Sequence, residues 1–398
     1  MSRAEWKKVR LGDIAKIGAG QSAPKYDTDF GNQGLPFIRA GHLEQLVSSF
    51  PEKLLPKVSD SIAFKYKLKK YPSESVIFAK SGMSATLNRI YKLKTESYVV
   101  SHLAIIEPNR ILCDSDFLTY LLSWKNPSVL IKDSAYPSIS LSDICNWNVL
   151  VPPIENQHHI AATLDKANEL IALRKKQLKE LDALAEAVFY DMFGDPVKNE
   201  KGWETIYLKK VTNKIGSGAT PRGGNENYKS KGISLIRSLN VYNGKFQYKD
   251  LAHIDEEQAK LLDNVTVYKN DVLLNITGAS VARCCIVPKE LLPARVNQHV
   301  AIIRTKKDLN NIYLTSVLTS QSYQQKLLRL SKSNGATREA LTKADIENLQ
   351  IHLPPLPLQT RFAAIIEKIE EQKARVRKAL QESENLFQRL MQDLFKPD

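Results

Sequence analysis

The sequence predicts an α+β protein: two similar mixed lobes separated by two long antiparallel helices, an intramolecular coiled coil with a pseudo-twofold internal repeat. Three observations predict it. The chain, at 398 residues, is too long for one ordinary core. It repeats itself once, with an offset that stays between 196 and 202 residues. Each repeat closes on a Pro-Pro pair that runs into a heptad pattern of apolar residues.

The repeat sets the lobes at 1–153 and 200–355. "WKKVRLGDIAKIGAG" at 6–20 matches "WETIYLKKVTNKIGSG" at 203–218, placing Trp6 on Trp203, Leu11 on Leu208, and Gly18 and Gly20 on Gly216 and Gly218. Further on, Arg39 falls on Arg237, Gly82 on Gly278, His102 on His299, Asp143 on Asp345, and Pro152-Pro153 on Pro354-Pro355. Within a lobe, short β-rich runs ("SVIFAK", "LAIIEP", "VAIIRT") alternate with turn residues and with helical pieces such as "DFLTYLLSW" and "NIYLTSVLTSQSYQQKLLRL". The matched histidines are expected at the ends of buried strands. A catalytic role for them would call for a serine, cysteine or carboxylate recurring beside both, and the aligned sequence offers none.

The helices are expected over 154–199 and 356–398. Proline fixes φ, biases the preceding residue to extended geometry and is tolerated in a first helical turn, so "VPPI" and "LPPL" turn a strand end into a helix start at a defined angle. After Pro153 the core-type positions are Ile160, Leu164, Ala167, Ile171, Arg174, Leu178, Leu181, Ala185, Val188 and Met192. After Pro355 they are Phe362, Ile366, Ile369, Lys373, Val376, Leu380, Ser383, Phe387, Leu390 and Leu394. Spacings of four and three alternate, which calls for a second helix, and each helix has its duplicate in the same chain. Antiparallel pairing follows from the connectivity, because parallel packing would oblige the second lobe to carry the chain back along the whole pair. A run of about 38 residues spans roughly 57 Å, which suits a spacer. Arg174, Lys373 and Ser383 break the heptad. The two cations either seat a partner, set the register, or lie where the pair meets solvent.

Composition excludes several classes. No run of eighteen apolar residues is present, so no membrane span is expected. The start, "MSRAEWKKVRLGDI", lacks an apolar signal region, and the expected location is cytoplasmic. Cys113, Cys145, Cys284 and Cys285 fit neither a metal spacing nor a disulfide framework and are expected as buried thiols. His158 and His159 are adjacent, so on a helix they point apart and no metal site is expected. There is no GxxxxGK[ST] loop, and "GSGATPRGG" at 216–224 lacks that motif's lysine; no catalytic residues are assigned. The net charge of +14 favours an anionic partner, and it sits in the lobes, +6 over 1–153 and +9 over 200–355, against −2 and +1 in the helices.

The lobes carry donor-rich turns of the kind that contact nucleic acid. The first offers Gln21, Lys25, Arg39, Lys80, Ser84, Asn88 and Arg89. The second offers Arg222, Asn225, Arg237, Asn240, Asn275, Thr277, Ser280, Arg283, Lys332, Asn334 and Arg338. Arginine suits guanine, asparagine and glutamine suit adenine, and hydroxyls or lysine settle on phosphate.

Duplicated lobes opening "W..V.LGDIAKIGAG", each closed by "PP" and a glutamine and followed by a heptad helix, resemble the specificity subunits of type I restriction-modification systems over essentially the whole chain. The resemblance implies that each lobe is a target recognition domain reading one half of a bipartite site in double-stranded DNA, and that the helices set the distance between half-sites. It implies seats for two methyltransferase subunits, which methylate adenine with S-adenosylmethionine, and the further joining of restriction subunits. This chain itself is then expected to be non-catalytic and to bind no cofactor, with S-adenosylmethionine, ATP and Mg²⁺ on the partners. The loops differ between lobes ("SGMSATLNR" against "TGASVARCC"), so the expected target is asymmetric. Two other readings are a self-contained DNA-modifying enzyme and a protein scaffold whose basicity is incidental.

Overall fold

The computed structural model describes residues 5–220, 223–224, 228–333 and 339–396. Arg222, Asn225, Asn334 and Arg338 lie outside the described residues. The chain divides into two units, residues 1–174 with 379–398, and residues 175–378. The long helices run Ile154–Phe193 and Leu356–Phe395, 40 residues each. The division therefore falls within both helices and not at the lobe borders expected from the repeat. The reason is packing, since the ends of both helices are built into the lobe cores.

In the first unit the strands are β1 (Lys7–Arg10), β2 (Ala15–Ala19), β3 (Leu35–Ile38), β4 (Lys57–Val58), β5 (Val76–Ala79), β6 (Tyr91–Lys92), β7 (Tyr98–Val99), β8 (Leu103–Pro108) and β9 (Asn148–Val151). One sheet has the antiparallel order β2-β8-β5-β6, a second the order β4-β3-β7 with β3 and β7 parallel, and β1 pairs with β9 to close the lobe. Successive strand residues face opposite sides, and here both sides are apolar. Leu103 and Ile105 of β8 join a core with Phe37, Leu43 and Tyr98, whereas Ala104 and Ile106 join another with Phe117 and Leu118. That second core also takes Ile160, Ala161 and Leu164 from the start of the first long helix and Met391 and Phe395 from the end of the second. Start meets end, so the helices run antiparallel here.

The second unit repeats the plan with β10 (Thr205–Tyr207), β11 (Thr212–Ser217), β12 (Ile233–Ile236), β13 (Val241–Tyr242), β14 (Lys245–Phe246), β15 (Ala252–Ile254), β16 (Thr266–Val267), β17 (Val272–Asn275), β18 (Cys284–Ile286), β19 (Ala294–Val296), β20 (Val300–Thr305) and β21 (Gln350–His352). Its sheets are β11-β20-β17-β18 and β15-β12-β19-β16, with β10 on β21 and a short β13–β14 hairpin without a counterpart in the first lobe. Here Phe189 and Phe193 meet Phe362, with ring centroids of Phe193 and Phe362 5.2 Å apart. The end of the first helix meets the start of the second, again antiparallel. Every heptad position of the two helices is buried or half-buried, Ile171, Leu178, Leu181, Ile366, Ile369, Leu380 and Phe387 included, while most intervening residues are exposed.

One matched feature holds each helix start. Gln157, almost fully buried, donates through Nε2 to the carbonyls of Leu112 (3.0 Å) and Pro152 (2.9 Å) and accepts from Asp114 N (2.9 Å). Gln359 does the same with Asp308 (3.2 Å), Pro354 (2.8 Å) and Asn310 N (2.8 Å). The glutamine after each Pro-Pro pair is thus a clamp that satisfies buried backbone groups. Gly20 and Gly218 are matched for space: a Cβ there would lie 2.1 Å from Val99 O and 1.8 Å from Val296 O.

The heptad breaks differ in kind. Lys373 is buried between the helices and bonds Asp182 at 2.6 Å and Glu370 more closely still. It does not lie where the pair meets solvent. Burial pulls its pKa down, but the two carboxylates outweigh this and hold it above the usual lysine range. Arg174 is half-buried and its Nη1 has no hydrogen-bond partner. Among the cysteines, Cys145 is exposed, contrary to expectation, because Ile144 takes the inward position of the short helix Leu141–Cys145. The other three are buried, and burial pushes Cys113 and Cys285 up to about 12.

Candidate nucleic-acid interface

The most closely duplicated polar site is the turn that follows the central strand of each main sheet. After β5, Lys80 N donates to His102 O (2.9 Å) and Lys80 O accepts from Ile139 N (2.8 Å). Next, Ser81 bridges to Ser138, and Gly82 turns the chain at φ +71° while its N–H donates to Pro137 O. After β17 the same bonds recur: Ile276 N to His299 O (3.0 Å), Leu341 N to Ile276 O (2.8 Å), a Thr277–Ala340 bridge, and Gly278 at φ +71° donating to Glu339 O. Glycine is required here because side chains rarely adopt that φ. A Cβ on either glycine would meet nothing within 4 Å, so the turn faces open space.

Each turn presents a hydroxyl bonded to the matched histidine. Ser81 Oγ lies 2.8 Å from His102 Nδ1, and Thr277 Oγ1 lies 2.6 Å from His299 Nδ1. In the second lobe the Gln298 amide donates to His299 Nε2 (3.0 Å), which puts the neutral ring's proton on Nδ1, aimed at Thr277 Oγ1. The threonine hydrogen is then left for an acceptor. The sequence comparison missed this because the hydroxyl is carried by serine in one lobe and threonine in the other. The histidines stand at strand ends as expected, but His102 is exposed and His299 half-buried.

Around the first turn the proposed contacts scatter over several roles. Lys25 and Arg39 are exposed, with the Arg39 guanidinium 4.5 Å from the Phe30 ring centroid. Lys80 and Ser84 are half-buried, Asn88 is exposed and donates to Ser123 O (2.6 Å), and Arg89 pairs with Glu44 at 2.9 Å. Gln21 donates to Lys67 O (2.7 Å) and accepts from Lys69 N, so its amide pins a neighbouring loop.

In the second lobe, Arg237 stacks 5.2 Å from the Tyr228 ring centroid and bonds Asp250 O, Arg283 lies 4.6 Å over Tyr242, Ser280 closes the turn, and exposed Lys332 pairs with Glu339 at 3.6 Å. Asn240 and Asn275 require correction as base readers. Both are fully buried: Asn240 accepts from Arg237 N and donates to Gln247 O, and Asn275 donates to Ser238 O. Asparagine in a turn sequence signals backbone bonding as readily as an exposed donor, and here the backbone took it.

A feature not singled out from the sequence is the run "FKYKLKKY" at 64–71, in which aromatics interleave with lysines. It borders an open cleft of about 670 Å³. Among the described residues no group of three or more His, Cys, Asp or Glu side chains could hold a metal ion, and no helix is long and apolar enough to cross a membrane.

Two lobes of one topology, each presenting an open donor-lined turn, define a duplicated binding module. Residues 3–183 and 200–383 match the family model for the type I restriction modification DNA specificity domain. With both matches covering most of its length, the chain belongs to that family, as a specificity subunit and not a catalytic one. The specificity subunit of the type I restriction enzyme MjaVIII from Methanocaldococcus jannaschii is 22% identical over 414 residues, covering 96% of this chain and 92% of that one. That of MjaIX, from the same organism, is 29% identical over 186 residues, but this chain spans only 42% of its length. Among solved structures, the S subunit of a type I restriction-modification system from M. genitalium superposes with a TM-score of 0.61 at 13% identity, over 99% of this chain and 96% of that one. A chain solved in work on complex assembly and conformational transition of the type I R-M system gives a TM-score of 0.57 at 19% identity, over 99% and 98%. These two likenesses show the same fold.

Proposed function

We propose that the chain reads an asymmetric, bipartite target in double-stranded DNA, one half-site per lobe, with the paired helices fixing the gap. The observation that carries this is the duplicated turn, identical in backbone bonding and in its hydroxyl–histidine pair but flanked by different side chains in the two lobes. A shared frame with divergent edges suits two different half-sites. On this reading the helices also seat two methyltransferase subunits, restriction subunits join those, and S-adenosylmethionine, ATP and Mg²⁺ are bound by the partners. The site of action is then the cytoplasm, where the DNA is.

Co-expression with a cognate methyltransferase subunit, followed by genome-wide mapping of methylated adenines, tests the reading. An asymmetric two-part motif is the expected result; a palindromic or continuous motif would overturn it. The spacer part has its own test. Inserting four residues after Lys176 and four after Arg375 adds about 6 Å to each helix, which should widen the gap by about two base pairs and leave both half-sites unaltered.

A further inference from the structure

We infer that the first lobe holds a second nucleic-acid contact, a lysine-lined cleft beside Phe64 that grips the phosphodiester backbone of the duplex, and that the second lobe has no counterpart. The inference rests on the DNA reading above and extends it to a residue set outside the duplicated turn. The cleft is bordered by Phe64, Lys65, Lys67, Lys69, Lys70 and Tyr98. Phe64 is 87% exposed at the end of the helix Asp60–Lys65, and nothing in the lobe core uses it.

The cleft is shaped and not merely charged. Gln21 clamps the backbone on both sides of Leu68, through Lys67 O and Lys69 N, and Lys67 is held at φ +51°. Glu107 orders Lys69 at 3.6 Å, Asp60 orders Lys70 at 3.3 Å, and Asp29 orders Lys65 at 3.5 Å. Lys67 has no carboxylate within ion-pairing distance among the described residues, and residues 60–71 carry a net +3. Lysines are point charges that suit phosphate without reading bases, and an exposed ring beside them gives the sugar an apolar face. Tyr98 also ties the cleft to the recognition turn, since the chain runs from it directly to His102.

The fold does not require these charges. At a constant offset of 196, Glu74 at φ +71° falls on Asn270 at φ +72° and Ala63 on Ala259, so Lys67-Leu68-Lys69-Lys70 falls on Asp263-Asn264-Val265-Thr266. Residues 256–267 carry a net −2, and Asp263 there bonds Arg295 at 2.7 Å. The same point of the repeat thus carries a basic cleft in one lobe and an acidic stretch in the other, and the local backbone differs with it: Lys67 stands at φ +51°, whereas Asp263–Val265 forms a 3-10 turn. A phosphate contact only in the first lobe accounts for the difference.

Binding of the full chain to a mixed-sequence DNA duplex, measured between about 50 and 200 mM salt, reads the number of phosphates neutralised. The double variant Lys67→Gln/Lys70→Gln should lower the slope of log K against log salt by roughly two, equally on target and non-target duplex. Lys260→Gln at the matched surface of the second lobe should leave the slope unchanged. Both lysines of the double variant are exposed, so its folding should be intact, which thermal unfolding will check. A wild-type chain that binds with strong salt dependence, together with an unchanged slope in the double variant, would overturn the cleft and leave the DNA reading standing. A wild-type chain with no salt-dependent DNA binding would overturn both. An unchanged slope with weakened binding of a methyltransferase subunit would assign the lysines to that protein and likewise overturn the phosphate contact.

Discussion

Where the second lobe buries Asp271 beneath Arg304, the first lobe has Ser75 and Glu107. Arg304 donates to both Asp271 oxygens at 2.8 Å and stacks 3.8 Å from the Tyr268 ring centroid, a bidentate pair with its carboxylate wholly buried. In the first lobe, Glu107 looks outward to Lys16 (3.9 Å) and Lys69 (3.6 Å), and Ser75 merely donates to Pro72 O (2.8 Å). The two pairs are matched in register: Ser75 and Asp271 immediately precede β5 and β17, and Glu107 and Arg304 are the last but one residues of β8 and β20. The difference teaches that the duplicated frame is fixed by strand pairing, apolar alternation and backbone clamps, while charge is arranged separately on each copy. Charge is therefore where the lobes can acquire different partners.

The sharpest way to break that comparison is to remove the buried pair. Asp271→Ala leaves Arg304 without its partner and should cost about 3–5 kcal/mol. The expected observation is a large drop in the denaturant midpoint of the second unit, with hydrogen exchange in the first unit unaffected. Ser75→Ala removes one ordinary hydrogen bond and should cost about 0.5–1.5 kcal/mol. Equal losses at the two positions would show that the charge difference is incidental to stability.

A second pair of variants sharpens the comparison from the opposite side, since the clamps should respond alike. Gln157→Ala strands Asp114 N, and Gln359→Ala strands Asn310 N, each at a half-buried helix N-cap whose glutamine partner is fully enclosed. Both should lose about 1–3 kcal/mol, the cost of an unsatisfied buried group, in their own unit. A loss in only one unit would mean that the matched bonds are not equivalent in strength.

These contrasts explain what was legible in the sequence. The duplicated frame was readable because it is written in position: Leu11 and Leu208 are both fully buried, Gly20 and Gly218 both abut a carbonyl, and the heptad residues from Ile160 to Leu394 all face inward. Apolar periodicity and forced glycines constrain residue type strongly. The helix starts after Pro153 and Pro355 were readable, but not the division of the chain within the helices, which depends on Phe189, Phe193, Met391 and Phe395 entering lobe cores. The polar site was less legible. Asn240 and Asn275 carry side chains that serve backbone or ligand equally well, and only burial decides. Ser81 and Thr277 share a hydroxyl but not a letter. The basic run at 64–71 was visible in composition, yet its meaning needed the second lobe's Asp263 set against Lys67.

The smallest expected effect falls on the feature the lobes share most closely. Ser81→Ala and Thr277→Val each delete one hydroxyl on an open turn and leave the histidine and the glycine in place. Since neither hydroxyl supports the core, thermal unfolding should change little. If each hydroxyl meets DNA, affinity should fall by about 0.5–1.5 kcal/mol per deletion, up to roughly tenfold. The pattern of the loss is more informative than its size. A uniform loss on every duplex from both variants would assign the turns to phosphate, leaving sequence reading to the divergent residues beside them. Relaxed preference at one half-site for Ser81→Ala, and at the other for Thr277→Val, would assign the turns to base edges. Because a serine and a threonine placed alike against a histidine present the same hydroxyl group, the first outcome is expected: a common grip where the lobes agree, and discrimination where they differ.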